Sequence, residues 1–454
     1  MSVVAIDQDD VLDLPGCRVR VRRDGPLIRA LGLRYATARR FEPCRPVSDG
    51  SISGGAVTDA TERGAMCPQP PSRLEFVVGS LLGELTADED CLTLAIVAPV
   101  PDGESRPVMV YFHGGAYVTG SGQAPAYDMS AMALEGDVVT VTVNYRLGIL
   151  GYLGIDEVAP ANLGLLDQIS ALRWIRDNIA GFGGDPANVT AFGQSAGADS
   201  VSYLMIADGA ENLIRRAILQ SAPLGVQRNR TEMSTAMAAA ARDALGPDAA
   251  TASVEDLLAA QTAAALATTA FGALAQMPFG PQTGHHPLPA DDQVEARRSE
   301  VARRLPIMIG ITAEDALPFL KLSPRVAPLL GAPMVGSVAT RPLARLVTQR
   351  LFGRPATAFA RHHRRSGGHA MTYQFDWRPT GSPFGACHCI ELPFLLGSYR
   401  DWAQSPMLGT GSESAIATYG PPMRQLWYEF ARGMFDEADA HVELPGALRP
   451  VEPD

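Results

Sequence analysis

A serine flanked by two glycines is the residue whose surroundings most favour nucleophilic chemistry in this 454-residue chain. It is Ser195, in the stretch Gly193-Gln194-Ser195-Ala196-Gly197, which has the pattern Gly-x-Ser-x-Gly. A serine in this pattern lies at a tight turn between a strand and a helix, and the glycines leave room for the backbone. Its hydroxyl is then presented near the positive end of the helix. Because the pattern is short, an ordinary turn is the alternative until chemical partners are identified.

Acyl transfer by a serine needs a general base, an acid that orients this base, and hydrogen-bond donors for the oxyanion of the intermediate. Donors are available in the stretch His113-Gly114-Gly115-Ala116, which ends an apolar run. Its small side chains leave backbone N–H groups open to an approaching ligand. The stretch is therefore a candidate oxyanion site.

Candidates for the acid and the base lie further along the chain. Glu314 and Asp315 are adjacent carboxylates at the end of an apolar run that starts at Ile307. Among the eight histidines, His388 lies in a loop after a predicted strand, where catalytic side chains tend to lie. The resulting order of serine, acid and histidine along the chain is the order found in α/β-hydrolases.

The elements that must position these residues alternate between strands and helices. Short apolar, β-branched runs predict strands, and the apolar residues of 162–180 fall near one helical face. Alternation of this kind indicates an α/β protein with a mostly parallel central sheet flanked by helices. The alanine-rich stretch 228–275 predicts helices that lie over the sheet as a cap. Strands are predicted at 18–33 (as a pair), 91–98, 107–112, 137–145, 188–192, 216–220, 306–311 and 371–375.

Composition and charge limit the class of protein. Hydrophobic residues make up 46% and charged residues 19%, which predicts a large buried core. A net charge of −11 argues against nucleic acid or an anionic membrane surface as a partner. The acidic N-terminus lacks the pattern of a signal peptide, and the most apolar run, 262–275, is shorter than the roughly 20 residues of a spanning helix. We therefore expect a cytoplasmic protein without a membrane partner.

The cysteines predict no metal site. The chain has six, at positions 17, 44, 67, 91, 387 and 389, and their spacing fits no zinc motif. The triplet Cys387-His388-Cys389 contains metal-ligand types, but the sequence has no second ligand cluster to complete a site. We expect neither a metal nor an organic cofactor.

Four further blocks of sequence resemble motifs of the type-B carboxylesterase family, which includes para-nitrobenzyl esterases and cholinesterases. They are similar to the family's E-D-C-L-x-L, N-Y-R-L/V-G, N-x-G-L-x-D-Q and F-G-G-D-P motifs, and the resemblance covers nearly the whole chain. It implies a single α/β-hydrolase domain over 1–454, with a helical cap insertion around 228–300. The four blocks are Glu89-Asp90-Cys91-Leu92-Thr93-Leu94, Asn144-Tyr145-Arg146-Leu147-Gly148, 162–168 and Phe182-Gly183-Gly184-Asp185-Pro186.

The resemblance implies roles for the candidate residues. Ser195 corresponds to the nucleophile and His388 to the base. The N–H groups of Gly115, Ala116 and Ala196 correspond to the donors of the oxyanion hole.

The resemblance identifies the acid less directly, because the family has a glutamate as the acid, in a G-x-x-x-D-E-G segment. The ungapped match to 310–316 puts Asp315 at that position, and Glu314 is the alternative. Gln194 stands where the family commonly has a glutamate, which implies a weaker preference for cationic substrates. Cys67 and Cys91 match the family's first disulfide pair, although a cytoplasmic location favours free thiols.

We therefore predict a serine carboxylester hydrolase that acts through an acyl-enzyme on small or medium carboxylic esters. One alternative is a specialised hydrolase of carbamates, amides or lactones, because the same triad serves each of these bonds. An alternative from another class is a non-catalytic recognition protein of the same fold. The predicted partner is a small-molecule ester, and the sequence does not predict the oligomeric state.

Overall fold

The structure of the protein is a computed structural model, which describes residues 8–15, 17–47, 57–227, 229–323, 326–328, 333–435 and 442–451. The strands that precede the candidate residues all belong to one sheet. Within the described residues the strands are β1 (Gln8–Leu14), β2 (Cys17–Asp24), β3 (Leu27–Arg34), β4 (Ala36–Thr37), β5 (Arg45–Pro46), β6 (Val57–Asp59), β7 (Thr93–Pro99), β8 (Arg106–Phe112), β9 (Val139–Val143), β10 (Gly184–Gln194), β11 (Arg216–Gln220), β12 (Ile307–Thr312), β13 (Ala370–Phe375) and β14 (Leu448–Arg449).

Twelve of these strands form a mixed sheet in the order β1-β2-β3-β7-β9-β8-β10-β11-β12-β13-β14, with β6 paired to β2. The run from β9 to β13 is parallel throughout. Antiparallel pairs flank this run on both sides. Because parallel strands share a direction, the residues that follow β8, β10, β12 and β13 emerge at one edge of the sheet. This edge is where ligands bind in open α/β sheets.

Helices cover both faces of the sheet. They are α1 (Glu75–Val78), α2 (Ser130–Gly136), α3 (Gly148–Gly151), α4 (Leu163–Asn178), α5 (Ala196–Leu204), α6 (Thr231–Leu245), α7 (Val254–Leu266), α8 (Val294–Ala302), α9 (Leu317–Leu322), α10 (Pro333–Thr348), α11 (Arg354–Arg365), α12 (Leu392–Leu395), α13 (Tyr399–Trp402) and α14 (Ser412–Arg432). Short 3₁₀ segments lie at Pro125–Tyr127, Ile179–Phe182, Leu224–Val226, Gly246–Asp248 and Thr269–Gln276, and a π-helical turn lies at Gln349–Gly353.

The core consists of one large apolar cluster on each face of the sheet. Alternate residues of β8 divide between them: Val108 and Val110 face the cluster that includes Val201 of α5. Met109 and Tyr111 face the cluster that includes Trp427 of α14. This division follows from the two-residue period of a strand, whose successive side chains point to opposite faces. Burial on both faces explains why these strands are continuous apolar runs in the sequence.

The predicted mostly parallel central sheet flanked by helices is confirmed. The predicted helix at 162–180 is α4 with a 3₁₀ turn after it. The stretch predicted as a cap forms α6, α7 and the 3₁₀ segment Thr269–Gln276, between β11 and β12 in the chain. In the described residues no single helix is long and apolar enough to cross a membrane. By length and composition alone, α7 and Thr269–Gln276 pass that test as a pair, and they are bent by 109°.

Cys67 and Cys91, the pair implied by the family resemblance, are both buried and are not joined by a disulfide. A hydrogen bond with the Cys67 thiol and burial together raise the pKa of Cys91 well above its ordinary value. The Cys91 side chain is therefore a neutral thiol at physiological pH.

Candidate active site

Ser195 occupies the turn between β10 and α5, as the sequence pattern predicts. Its backbone lies at φ 56° and ψ −125°, a conformation that costs free energy for a residue with a side chain. The surrounding structure holds this conformation, because the N–H of Ser195 donates to the carbonyl oxygen of Gln220 at 2.9 Å. Ser195 thereby stands at the sheet edge, directly before the first turn of a helix.

The glycines on either side of Ser195 are required by close packing against β8. A Cβ on Gly197 would lie 1.9 Å from the carbonyl oxygen of Phe112. A Cβ on Gly193 would lie 2.7 Å from the same oxygen. Contacts this short with backbone atoms do not occur, so only glycine fits at these two positions. The motif thus reflects how tightly β8, β10 and α5 meet.

The predicted oxyanion donors are available to a ligand. Gly115 and Ala116 have positive φ values of 118° and 55°, which turn the chain sharply after β8. Among the described residues, no protein acceptor takes the N–H of either residue. Ala196 is the first residue of α5, where an N–H has no partner within the helix. These three N–H groups therefore keep their hydrogen-bonding capacity for another molecule.

His388 and Asp315 are in direct contact although they lie 73 positions apart in the chain. The Nδ1–H of His388 donates to Oδ1 of Asp315 at 2.7 Å, and both side chains are buried. The other oxygen of Asp315 accepts hydrogen bonds from the Ser221 hydroxyl at 3.0 Å and from the Thr312 N–H at 2.9 Å. These contacts fix the carboxylate, and the carboxylate fixes the ring and its tautomer.

Glu314, the alternative acid, points away from His388. Its carboxylate lies 3.4 Å from Arg378 and 3.6 Å from Arg345, and it accepts the N–H of Ala386 at 3.1 Å. The backbone of Glu314 also pairs with the segment that carries the histidine, through its N–H and the carbonyl oxygen of Ala386 at 2.8 Å. Glu314 therefore joins the loop after β12 to the loop at Ala386, whereas Asp315 faces the imidazole.

Gln194 occupies the space beside the free nitrogen of His388. Its side-chain amide donates to Nε2 of His388 at 3.2 Å, and its amide oxygen accepts the thiol of Cys389 at 3.4 Å. The hydroxyl of Ser195 forms no hydrogen bond with His388 among the described residues. Hydrogen bonds between nucleophile and base are often long without substrate and tighten when it binds. For the Ser195 hydroxyl to bind Nε2 of His388, it would have to replace the Gln194 amide at this nitrogen.

His113, the other histidine near the serine, is a structural residue. Its ring stacks on Tyr145 with 4.5 Å between ring centroids, and its Nδ1 lies 2.8 Å from the carbonyl oxygen of Gly114. Burial lowers the pKa of His113 to about 4. The ring is therefore neutral at physiological pH and supports the start of the glycine loop.

Three residues of this site were missed by the sequence analysis. Ser221 follows β11 and donates a hydrogen bond to Asp315. The available signal was a polar residue directly after a buried strand that pairs with the strand before Ser195. Phe319 and Phe352 contact the ring of His388, with centroids 5.2 and 5.5 Å away. Their only sequence signal is aromatic character, which is equally typical of any core position.

Ser195, His388 and the glycine loop line one cavity of about 390 Å³. Its walls are mostly apolar and come from the glycine loop, from residues 262–279 and from the segments around Phe319 and Phe352. The apolar members of the lining include Val118, Val226, Leu266, Met277, Phe279 and Leu351. The cavity can hold an apolar group of moderate size next to the serine. In the described residues no group of three or more histidine, cysteine and acidic side chains could hold a metal ion.

Comparisons with known proteins identify the family of the chain. Residues 11–329 match the model of the Carboxylesterase family. The chain is 38% identical over 404 residues to a probable N-octanoylanthranilate hydrolase of Rhodococcus erythropolis, covering 88% of this chain and 87% of that protein. It is 37% identical over 369 residues to the para-nitrobenzyl esterase of Bacillus subtilis, covering 75% and 73%. A solved thermophilic PNB esterase superposes with a TM-score of 0.78 at 30% identity, covering 96% of this chain and 93% of that one.

Proposed function

This chain belongs to the carboxylesterase family and is a carboxylic ester hydrolase, and from that premise we propose that Ser195 is its nucleophile, acting through an acyl-enzyme. The observation that carries the proposal is the buried contact at 2.7 Å between Asp315 and His388, whose ring lines the same cavity as Ser195. A histidine held in this way can accept a proton on Nε2, which is the role of the base in acyl transfer.

The first half-reaction acylates the serine. Oγ of Ser195 attacks the carbonyl carbon of the ester, and its proton passes to Nε2 of His388. The carbonyl oxygen becomes an oxyanion, which accepts hydrogen bonds from the N–H groups of Gly115, Ala116 and Ala196. His388 then gives the proton to the departing alcohol oxygen as the C–O bond breaks. Asp315 stabilises the imidazolium that exists between these two transfers.

The second half-reaction releases the acid. Water attacks the acyl carbon, and His388 accepts one of the water protons. The same N–H groups bind the second oxyanion, and the proton returns to Oγ of Ser195 as the acyl–serine bond breaks. No metal or organic cofactor takes part in either step.

A second candidate is hydrolysis of N-acyl aromatic amides on the same triad. It is favoured by the similarity to a protein named as a probable N-octanoylanthranilate hydrolase. The matched region spans 87% of that protein. An amide has a poorer leaving group than an ester, and this group must be protonated as it departs. The same histidine supplies that proton. Parallel assays of an octanoyl ester and the matching octanoyl anilide distinguish the two candidates by their kcat/KM values.

We also propose that the chain is a single domain with a cap at about 228–300. Nine residues between positions 261 and 279 of this stretch line the cavity, which supports a role in closing the site. A cytoplasmic location remains a prediction, and the buried thiols Cys67 and Cys91 are compatible with it. Cell fractionation with periplasmic and membrane markers tests the location.

The nucleophile is tested by Ser195→Ala with Ser72→Ala as a control, because Ser72 lines the same cavity. We expect Ser195→Ala to remain folded, to reduce 4-nitrophenyl butyrate hydrolysis to near background and to abolish labelling by a fluorophosphonate probe. Ser72→Ala should retain both. A Ser195→Ala enzyme that keeps a tenth of the wild-type kcat would exclude Ser195 as the nucleophile.

A further inference from the structure

The ionised groups around the cavity are unevenly distributed. Among its described lining residues there is no aspartate or glutamate, and Arg73 is the only lysine or arginine. Gln194, beside the base, is neutral, so the interior carries no fixed negative charge. A carboxylate that entered this cavity would therefore meet an attractive group and no repulsive one.

Arg73 lies on the exposed part of the lining, in the loop before α1. One of its terminal nitrogens donates to the carbonyl oxygen of Gln276 at 2.6 Å. No carboxylate is paired with it among the described residues, and the surrounding protein atoms lower its pKa without any offsetting acid. A guanidinium offers five N–H donors in a planar fork, so most of its donors stay available to a ligand.

Two buried arginines elsewhere in the chain are paired with acids. Arg106 contacts Asp102 and Asp137 at 2.7 and 2.6 Å. Arg424 contacts Glu135 at 2.6 Å. Arg73 differs from Arg106 and Arg424 because its side chain is exposed and, among the described residues, is paired with no carboxylate. Its guanidinium is therefore open to a group that arrives from outside, through the mouth of the cavity.

We propose that this esterase selects substrates that carry a carboxylate remote from the scissile bond, with Arg73 as the specificity-determining residue at the mouth of the cavity. The apolar walls hold the hydrocarbon part of the substrate, and the guanidinium binds the carboxylate through paired N–H···O contacts. Arginine suits this role because its fork matches carboxylate geometry. The inference rests on the proposed function, since it names the substrate class of the same site.

The contact between Arg73 and Gln276 offers a competing explanation, in which the arginine only ties the loop before α1 to the segment after α7. The two explanations differ in what they predict for neutral substrates. A structural tie affects every ester that uses the cavity by the same factor. A carboxylate-binding residue changes the ratio between charged and neutral esters.

The test compares phenyl hexanoate with 3-(hexanoyloxy)benzoate, which differ by one carboxylate on the leaving group. The measured quantity is the ratio of kcat/KM for the charged ester to that for the neutral ester. We expect Arg73→Gln to lower this ratio about tenfold relative to wild type, as loss of a charge-assisted contact worth about 1.4 kcal/mol would do. Arg73→Lys should keep part of the ratio, because it retains charge but loses the fork. Arg39→Gln, at an exposed arginine outside the cavity, should leave it unchanged.

Two further measurements sharpen the result. Gln194→Glu places a negative charge beside the base and should also lower the ratio, whatever it does to kcat. Raising the salt concentration should reduce the ratio in wild type and have little effect in Arg73→Gln, because exposed charges are screened.

The possible failures are distinguishable. Equal losses for both esters in Arg73→Gln, with an unchanged ratio, would overturn the inference and assign the arginine to the structural tie. In that case the proposed function would remain intact, provided that the wild-type enzyme reacts with the fluorophosphonate and hydrolyses phenyl hexanoate. Failure of the probe and of both esters would instead contradict the proposed function itself.

Discussion

Two adjacent carboxylates at the end of β12 have different tasks. Asp315 binds Nδ1 of His388 at 2.7 Å, whereas Glu314 lies against Arg378 and Arg345. The backbone pairing between Glu314 and the segment at Ala386 brings the two loops close together. This proximity explains how the shorter side chain of aspartate reaches the ring.

We expect Asp315→Asn to lower kcat by about 10⁴, because an amide at this position can hold the wrong tautomer of the histidine. Glu314→Gln should cost far less activity, since Glu314 does not contact the imidazole. Both values come from initial rates with 4-nitrophenyl butyrate, after thermal melting has shown that each variant is folded. An inactive Glu314→Gln beside a normal Asp315→Asn would show that the pair at 2.7 Å is not the functional one.

Turns at the sheet edge hold Ser195, the proposed nucleophile, and the proposed oxyanion donors in position. Ala116 has a φ of 55°, which the ring of proline cannot adopt, so a proline there would break the loop as well as remove the donor. Ala196 is a better place to remove a donor. It is the first residue of α5, where proline is tolerated in helices.

Ala196→Pro should lower kcat by about 10²–10³, the usual effect of removing one oxyanion donor. Ala196→Gly is the matched control, because it changes the side chain and keeps the N–H. Ala196 is buried, so thermal melting must show that the proline variant is folded. Equal kcat values for wild type and a folded Ala196→Pro would place the oxyanion elsewhere.

Stability of the whole molecule depends on ionisable groups buried near the site. Glu391 is buried three positions after His388, and burial raises the pKa of its carboxyl to about 8, with the Asp315 carboxylate adding to the rise. Between an unfolded pKa of about 4.5 and this value, the folded chain binds more protons than the unfolded chain. Folding is therefore progressively destabilised as the pH rises through this range.

Glu391→Gln removes that contribution. We expect the melting temperature of Glu391→Gln, relative to that of wild type, to increase from pH 5.5 to pH 8.5. The difference in unfolding free energy between the two proteins should change by at most about 1.4 kcal/mol per pH unit. The buried histidines His113 and His363 titrate in both proteins and cancel in the comparison. Melting curves of the two proteins that run parallel across this range would show that Glu391 is not titrating there.

Local patterns were sufficient to predict the central strands and the turn at Ser195. Strand β11 was predicted at 216–220, where the structure has it, because a strand buried on both faces is a short unbroken apolar run. The Gly-x-Ser-x-Gly turn involves only neighbouring residues, so its steric requirements appear directly as amino-acid types. Strand β1 (Gln8–Leu14), by contrast, has four polar residues among its seven without alternation, lies at an antiparallel edge and was not predicted.

Contacts between distant segments required the folded chain. Ser221 and Asp315 meet although they are 94 positions apart, and Arg73 and Gln276 meet across 203 positions. Neither contact has a local sequence pattern, because each results from the order in which the strands pair and from where the loops return. For the two carboxylates, the ungapped match to the family segment favoured Asp315 over Glu314. The contact itself depends on the course of the chain after β12, which turns the Asp315 carboxylate toward the imidazole.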